Sequence, residues 1–194
     1  LSKMAVSSNC TKEFRGEYRK VVRRAASIPK DERSLAALIN HFHIENALNR
    51  GREFIRWGDK TPKNCFAMPE IRQIFPDAKY VHLVRDGVDV VSSYIKAGLQ
   101  ESIVSAAKRW VSSIENVKKY ERKQKQSVIE IRYEDLVSNE DNALARIKNF
   151  LGMKKRATKS PLDMMVDIKD DNNHKNVYKE TTSKYIGKGR RTLN

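Results

Sequence analysis

"KYVHLVRDGVDVVSS", residues 79–93, decides how the rest of the chain is read. It opens apolar and β-prone, with Tyr80, Val81, Leu83 and Val84, and closes on a helix-like pattern from Gly87 onward. This predicts a strand over 79–84, a turn, and a helix over 87–98 ended by Gly98. Arg85 then stands at the carboxyl edge of the strand, and Ser93 on the second turn of the helix. Free amides and the dipole at a helix N-terminus favour an anion. A guanidinium, with its planar fork of donors, and a hydroxyl converging there suit a single phosphate. On spacing alone, a surface ion pair of Arg85 with Asp86 or Asp89 is an equal alternative.

The flanks repeat the alternation. Upstream, 11–28 reads as a basic helix closed by Pro29. A second helix capped by Asp31 runs to Gly51, followed by a short strand over 53–58 and a helix over 64–75. Downstream come a long amphipathic helix over 101–124, a strand over 127–133 and a helix over 139–153. From Lys154 on, periodicity fades, and residues 152–194 carry eleven Lys/Arg against five Asp/Glu. Strands alternating with helices imply βαβ units, a parallel sheet and an α/β class. In such sheets ligands sit at the carboxyl ends of strands.

The chain has 194 residues, enough for one domain with a real core, and a formal net charge of +15. That charge suits an anionic partner, although scattered lysines are more often a solvated surface. Apolar runs are too short for a membrane span or a signal peptide. Cys10 and Cys65 allow one disulfide at most, and the four histidines have no metal spacing.

Four stretches, in order, resemble segments of the sulfotransferase family. "FPDAKYVHLVRDGVDVVSS" (75–93) resembles the 3′-phosphate-binding segment, with Ser eight positions after Arg. "WGDKTPKN" (57–64) is similar to the strand-end segment whose Lys approaches the phosphosulfate. "VIEIRYEDLV" (128–137) resembles the segment whose Tyr packs near the adenine. "TTSKYIGKGR" (181–190) is similar to a late segment returning a basic residue to the 3′-phosphate. The tyrosylprotein and bacterial branch is the nearest in pattern. The resemblance implies a three-layer, P-loop NTPase-like fold with a central parallel sheet, and sulfuryl transfer from 3′-phosphoadenosine 5′-phosphosulfate to a hydroxyl or amine. Carried over by position, Arg85, Ser93 and Lys184 hold the 3′-phosphate, with Lys175 as a further candidate. Tyr133 lies on the base side, and Lys60 steadies the leaving phosphate.

The family's glycine-rich phosphosulfate loop has no counterpart in the sequence, so the chain is expected to begin just past it, with the first strand absent. Pro62 occupies the position where cytosolic relatives carry a His. The tyrosylprotein branch uses a Glu shortly after the helix that follows the loop, so the resemblance implies Glu17, in "FRGEYR", as the base, with Glu13 competing. No metal is called for. The plainer readings are a surface Glu17 paired with Arg15 or Lys20, a core Tyr133, a solvated Lys60 and a frayed basic tail around Lys184. Trp57 and Trp110 read as core. The alternatives in function are a non-catalytic nucleotide binder, a P-loop kinase relative and a basic nucleic-acid-binding module, the last without a recognisable motif. The expected partners are a nucleotide donor and a hydroxyl-bearing acceptor, with no specific nucleic acid. The expected compartment is the cytoplasm, or the Golgi lumen if an upstream signal anchor exists.

Overall fold

The computed structural model describes residues 23, 26–48, 56–153 and 182–192. Most of the expected helix over 11–28, and residues 53–55 of the expected strand, lie outside them; residues 56–58 are irregular. The described residues of Leu1–Asn64 and Glu70–Pro76 form one compact unit, and those of Cys65–Pro69 and Asp77–Asn194 another.

In the first unit, α1 spans Leu35–Leu48. Its cap is Ser34, whose Oγ accepts from the Ala37 amide at 3.0 Å, and not Asp31. Asp31 instead lies in a short 3-10 turn, Lys30–Glu32. Arg33 folds back there, donating from Nε to the Ile28 carbonyl (2.9 Å) and from Nη2 to that of Ala26 (3.0 Å). The helix begins where this tie ends. Trp57 stacks on His43 at 4.0 Å, meets Phe75 edge-on at 5.3 Å, and donates Nε1–H to Asn40 Oδ1 at 2.9 Å. It is packed as a core residue with its polar tip satisfied.

The expected helix over 64–75 is broken into a 3-10 turn, Pro62–Phe66, and α2, Met68–Ile74. Pro69 is the cause: its ring would clash with the Cys65 carbonyl in a continuous helix, whereas the first turn of a new helix accepts proline.

In the second unit, β1 (Tyr80–Val84) and β2 (Val128–Arg132) pair in parallel, from Tyr80 opposite Val128 to Val84 opposite Arg132. Parallel neighbours need a crossover, and α3 (Gly87–Lys96) and α4 (Ile103–Lys123) supply it. Tyr133, expected on the strand, instead opens α5, Tyr133–Ser138; Glu134 and Asp135 suit a helix start. The last helix, α6 (Glu140–Leu151), is capped by Asn139 and ended by Gly152 at φ 68°. Among the described residues this is an α/β arrangement with a two-stranded sheet.

α4 carries the buried face of the crossover, with Ala106, Val117 and Tyr120 at helical spacing. Val117 and Tyr120 cluster with Met68 and Val128, and Tyr80 meets Tyr120 edge-on at 5.3 Å. Ile131 on β2 is fully enclosed. Burial of such a side chain contributes roughly 1.5–3 kcal/mol. No described helix is long and apolar enough to cross a membrane.

Candidate functional site

Parallel register brings two expected site residues together. β1 and β2 end side by side, Val84 opposite Arg132, so Arg85 and Tyr133 emerge as neighbours. The Arg85 guanidinium carbon lies 4.6 Å from the centre of the Tyr133 ring, a cation–π distance. Trp110 fixes the strand end by donating its indole N–H to the Arg85 carbonyl at 3.3 Å. Its ring would sit 3.2 Å from a Cβ at position 87, which is why glycine follows Asp86.

The N-terminus of α3 differs from the expectation of free amides. The Asp86 carboxylate accepts from the Val88 and Asp89 amides at 3.0 and 3.1 Å, so the helix carries its own anion there. The Asp86 amide in turn donates to Glu134 Oε1 at 2.8 Å, which ties α5 to the turn.

A strap, residues 182–192, closes over this end. Asp89, only 3% exposed, receives the Gly187 amide on Oδ2 (2.9 Å) and the Gly189 amide on Oδ1 (2.6 Å). Arg85 Nη2 donates to the same carboxylate at 3.3 Å and to the Tyr185 carbonyl at 2.7 Å. Burial alone would raise the Asp89 pKa, but the two amides and the Arg85 charge together hold it below the usual carboxylate value. The ion pair foreseen as the alternative for Arg85 is thus present with Asp89, as one part of a larger junction. Arg85 Nε is buried, without a hydrogen-bond partner among the described residues. Arg190 lies 3.6 Å from Asp86.

The other expected residues stand apart from these bonds. Ser93 is exposed on α3, and among the described residues no hydrogen bond joins it to Arg85; its neighbour Ser92 is the buried serine. Lys184 is exposed in the 3-10 turn Ser183–Tyr185, next to the carbonyl that Arg85 grips. Lys60 belongs to the first unit and is exposed. Its turn is built on Asp59, whose carboxylate accepts from Thr61 Oγ1 (3.2 Å) and Asn64 Nδ2 (2.6 Å). Glu17, Glu13, Lys175 and Cys10 lie outside the described residues. Among the described residues, no group of His, Cys, Asp and Glu side chains is arranged to hold a metal.

Sequence reasoning noted Asp89 only as an ion-pair partner, and missed the Gly187–Gly189 clasp and the Glu134 tie. The signal available was the pairing of an Asp four residues after Arg85 with the Gly-Lys-Gly of 187–189. Nothing in local periodicity links segments so distant.

Fold and site together define an α/β protein with a guanidinium seated at the carboxyl end of a parallel sheet, flanked by a basic strap. The profile of the sulfotransferase family matches residues 7–156, and the chain belongs to that family. The family's chemistry is sulfuryl transfer. The match includes Glu17, Lys60, Arg85, Ser93 and Tyr133 and ends before the strap. No curated protein matches the chain.

Proposed function

We propose that this protein binds 3′-phosphoadenosine 5′-phosphosulfate and moves its sulfuryl group to a hydroxyl or amine acceptor, on a P-loop-like sheet of the tyrosylprotein or bacterial type. The observation that carries the reading is Arg85: its guanidinium lies 4.6 Å over the Tyr133 ring at the strand end, with a buried Nε that finds no hydrogen-bond partner among the described residues. Its bonds to Asp89 and Tyr185 both use Nη2, so they do not exhaust its donors. Lys184 and Lys188, exposed on the strap, add positive charge beside it. These groups fit a phosphate, and family membership supplies the chemistry around it.

When bound, the donor presents a sulfuryl group activated by its bond to phosphate. Arg85, Ser93 and Lys184 hold the 3′-phosphate, and Tyr133 stands toward the base. Glu17 takes the proton of the acceptor hydroxyl as its oxygen bonds to sulfur. Lys60 offsets the negative charge gathering on the departing phosphate oxygen as the sulfur–oxygen bridge breaks. Titration calorimetry tests the reading. Adenosine 3′,5′-bisphosphate binds more tightly than adenosine 5′-phosphate, and Arg85→Ala removes roughly 1.5–3 kcal/mol of that preference. Equal affinity for the two nucleotides in the unmodified protein would sink it.

A further inference from the structure

We infer that Asp89 is a positioning residue for anion recognition: it latches the 182–192 strap to the first turn of α3 and thereby sets Lys184 and Lys188 beside Arg85. The inference rests on the donor reading above and adds to it a residue that touches no donor atom.

Within the strap, the Ile186 amide donates to the Ser183 carbonyl at 2.9 Å and the Thr192 amide to that of Gly189 at 3.0 Å. Its other local bonds are equally short-range: the Lys184 amide to Thr182 Oγ1 at 3.3 Å, and Thr192 Oγ1 to the Lys188 carbonyl at 2.8 Å. Tyr185 and Ile186 are only half-buried. Among the described residues, four contacts tie the strap to the β1–α3 turn and the first turn of α3. Asp89 takes both glycine amides, Arg85 takes the Tyr185 carbonyl, and Arg190 approaches Asp86. Asp89 is the centre of this set, since it also holds Arg85. The strap sequence is shaped to fit. Gly187 adopts φ +70°, a left-handed conformation that side chains disfavour. Gly189 is buried so close to α3 that a Cβ there would overlap the Val88 carbonyl and stand 2.7 Å from the Asp89 Cα.

Charge alone argues the opposite role. A carboxylate beside Arg85 repels an incoming anion, so if Asp89 acted only through its field, neutralising it would tighten phosphate binding. If it acts as a latch, neutralising it loosens the strap and weakens binding. The sign of the effect therefore decides between the two.

The experiment measures affinity for adenosine 3′,5′-bisphosphate and adenosine 5′-phosphate in the full-length protein, alongside amide exchange at Gly187 and Gly189. It compares the unmodified protein with Asp89→Asn and Gly189→Ala. Both variants are expected to bind the bisphosphate about tenfold or more weakly, as for loss of a charge-assisted contact, to bind adenosine 5′-phosphate as before, and to exchange both amides faster. Gly189→Ala changes no charge and removes no group from α3, so it carries the test if Asp89→Asn does not fold. Tighter bisphosphate binding by Asp89→Asn overturns the latch in favour of a field effect. Faster exchange with unchanged bisphosphate affinity overturns it too, leaving the strap irrelevant to recognition. If the unmodified protein prefers the bisphosphate and both variants match it, the latch alone fails. If the unmodified protein shows no preference, the donor reading fails and the latch with it.

Discussion

Two clusters of charge sit on the same pair of strands and are built differently. Midway along the sheet, His82 of β1 faces Glu130 of β2 at 3.5 Å, and Lys118 of α4 bridges Glu130 (2.8 Å) and Glu121 (3.0 Å). At the sheet's carboxyl end, Arg85 and Asp89 join the strap. In the first cluster, side chains meet side chains and water reaches about a third of Glu130 and more of Lys118. In the second, a nearly fully buried carboxylate binds backbone amides nearly a hundred residues away. The difference teaches where charge contributes to stability and where it positions chemistry. Solvated pairs are worth little and close on themselves. A buried carboxylate that organises backbone is costly to lose, and its partner Arg85 keeps a donor unused among the described residues.

The comparison breaks first at Asp89. Asp89→Ala strands Arg85 and two amides, and urea unfolding should register a loss of roughly 3 kcal/mol, the low end for a broken buried pair because Arg85 is partly exposed. A loss below that of Glu130→Gln would reverse the ranking of the clusters. Next in size is Gly87→Ala, where the new methyl presses on Trp110; overpacking of this kind costs about 1–3 kcal/mol. The same scan should show it, and Trp110→Leu should relieve it; an unrelieved defect would place the fault in the turn itself. Glu130→Gln is the smallest, at most about 1 kcal/mol, and should shrink further at high salt.

Titration sharpens the contrast. Burial holds the His82 pKa below its ordinary value, against the opposing pull of Glu130. The unfolded chain therefore binds the proton first, so stability falls as pH drops below about 6.5. Asp89 and Glu130 have folded pKa values lowered from the ordinary carboxylate value. Their contribution is complete above that value and is lost only as pH falls through the lowered ones. Unfolding measured from pH 7.5 to 5 should show a slope that His82→Gln reduces, with His43, also lowered by burial, supplying the remainder. An unchanged slope would remove His82 from the account.

The β1–turn–α3 segment was legible because its signals are local: an apolar run, then the Asp86–Gly87 turn, then helical spacing; the cap that Asp86 supplies was not read, and the amides were expected to be free. Arg85 beside Tyr133 was accessible through the parallel-sheet rule, although Tyr133 begins a helix rather than ending a strand. The start of α1 was misplaced because Asp31 and Ser34 are both good caps, and a side chain, Arg33, decides between them. The strap was illegible as structure. It has no periodicity, and its partners on α3 are set by chain closure rather than by neighbours in sequence. Its glycines gain meaning only against Val88 and Asp89.

The span between the two halves of that clasp also has a duration. Asp89 and Gly189 are 100 residues apart. At about 5–20 residues per second, a ribosome takes roughly 5–20 s to make that much chain. Single helices and hairpins form in microseconds, so Arg85 and Asp89 meet seconds before Gly187 and Gly189 exist to bind that carboxylate. The carboxylate half of the clasp therefore waits for its amide half, and the strap joins a turn whose other partners, Trp110 and Tyr133, are already synthesised.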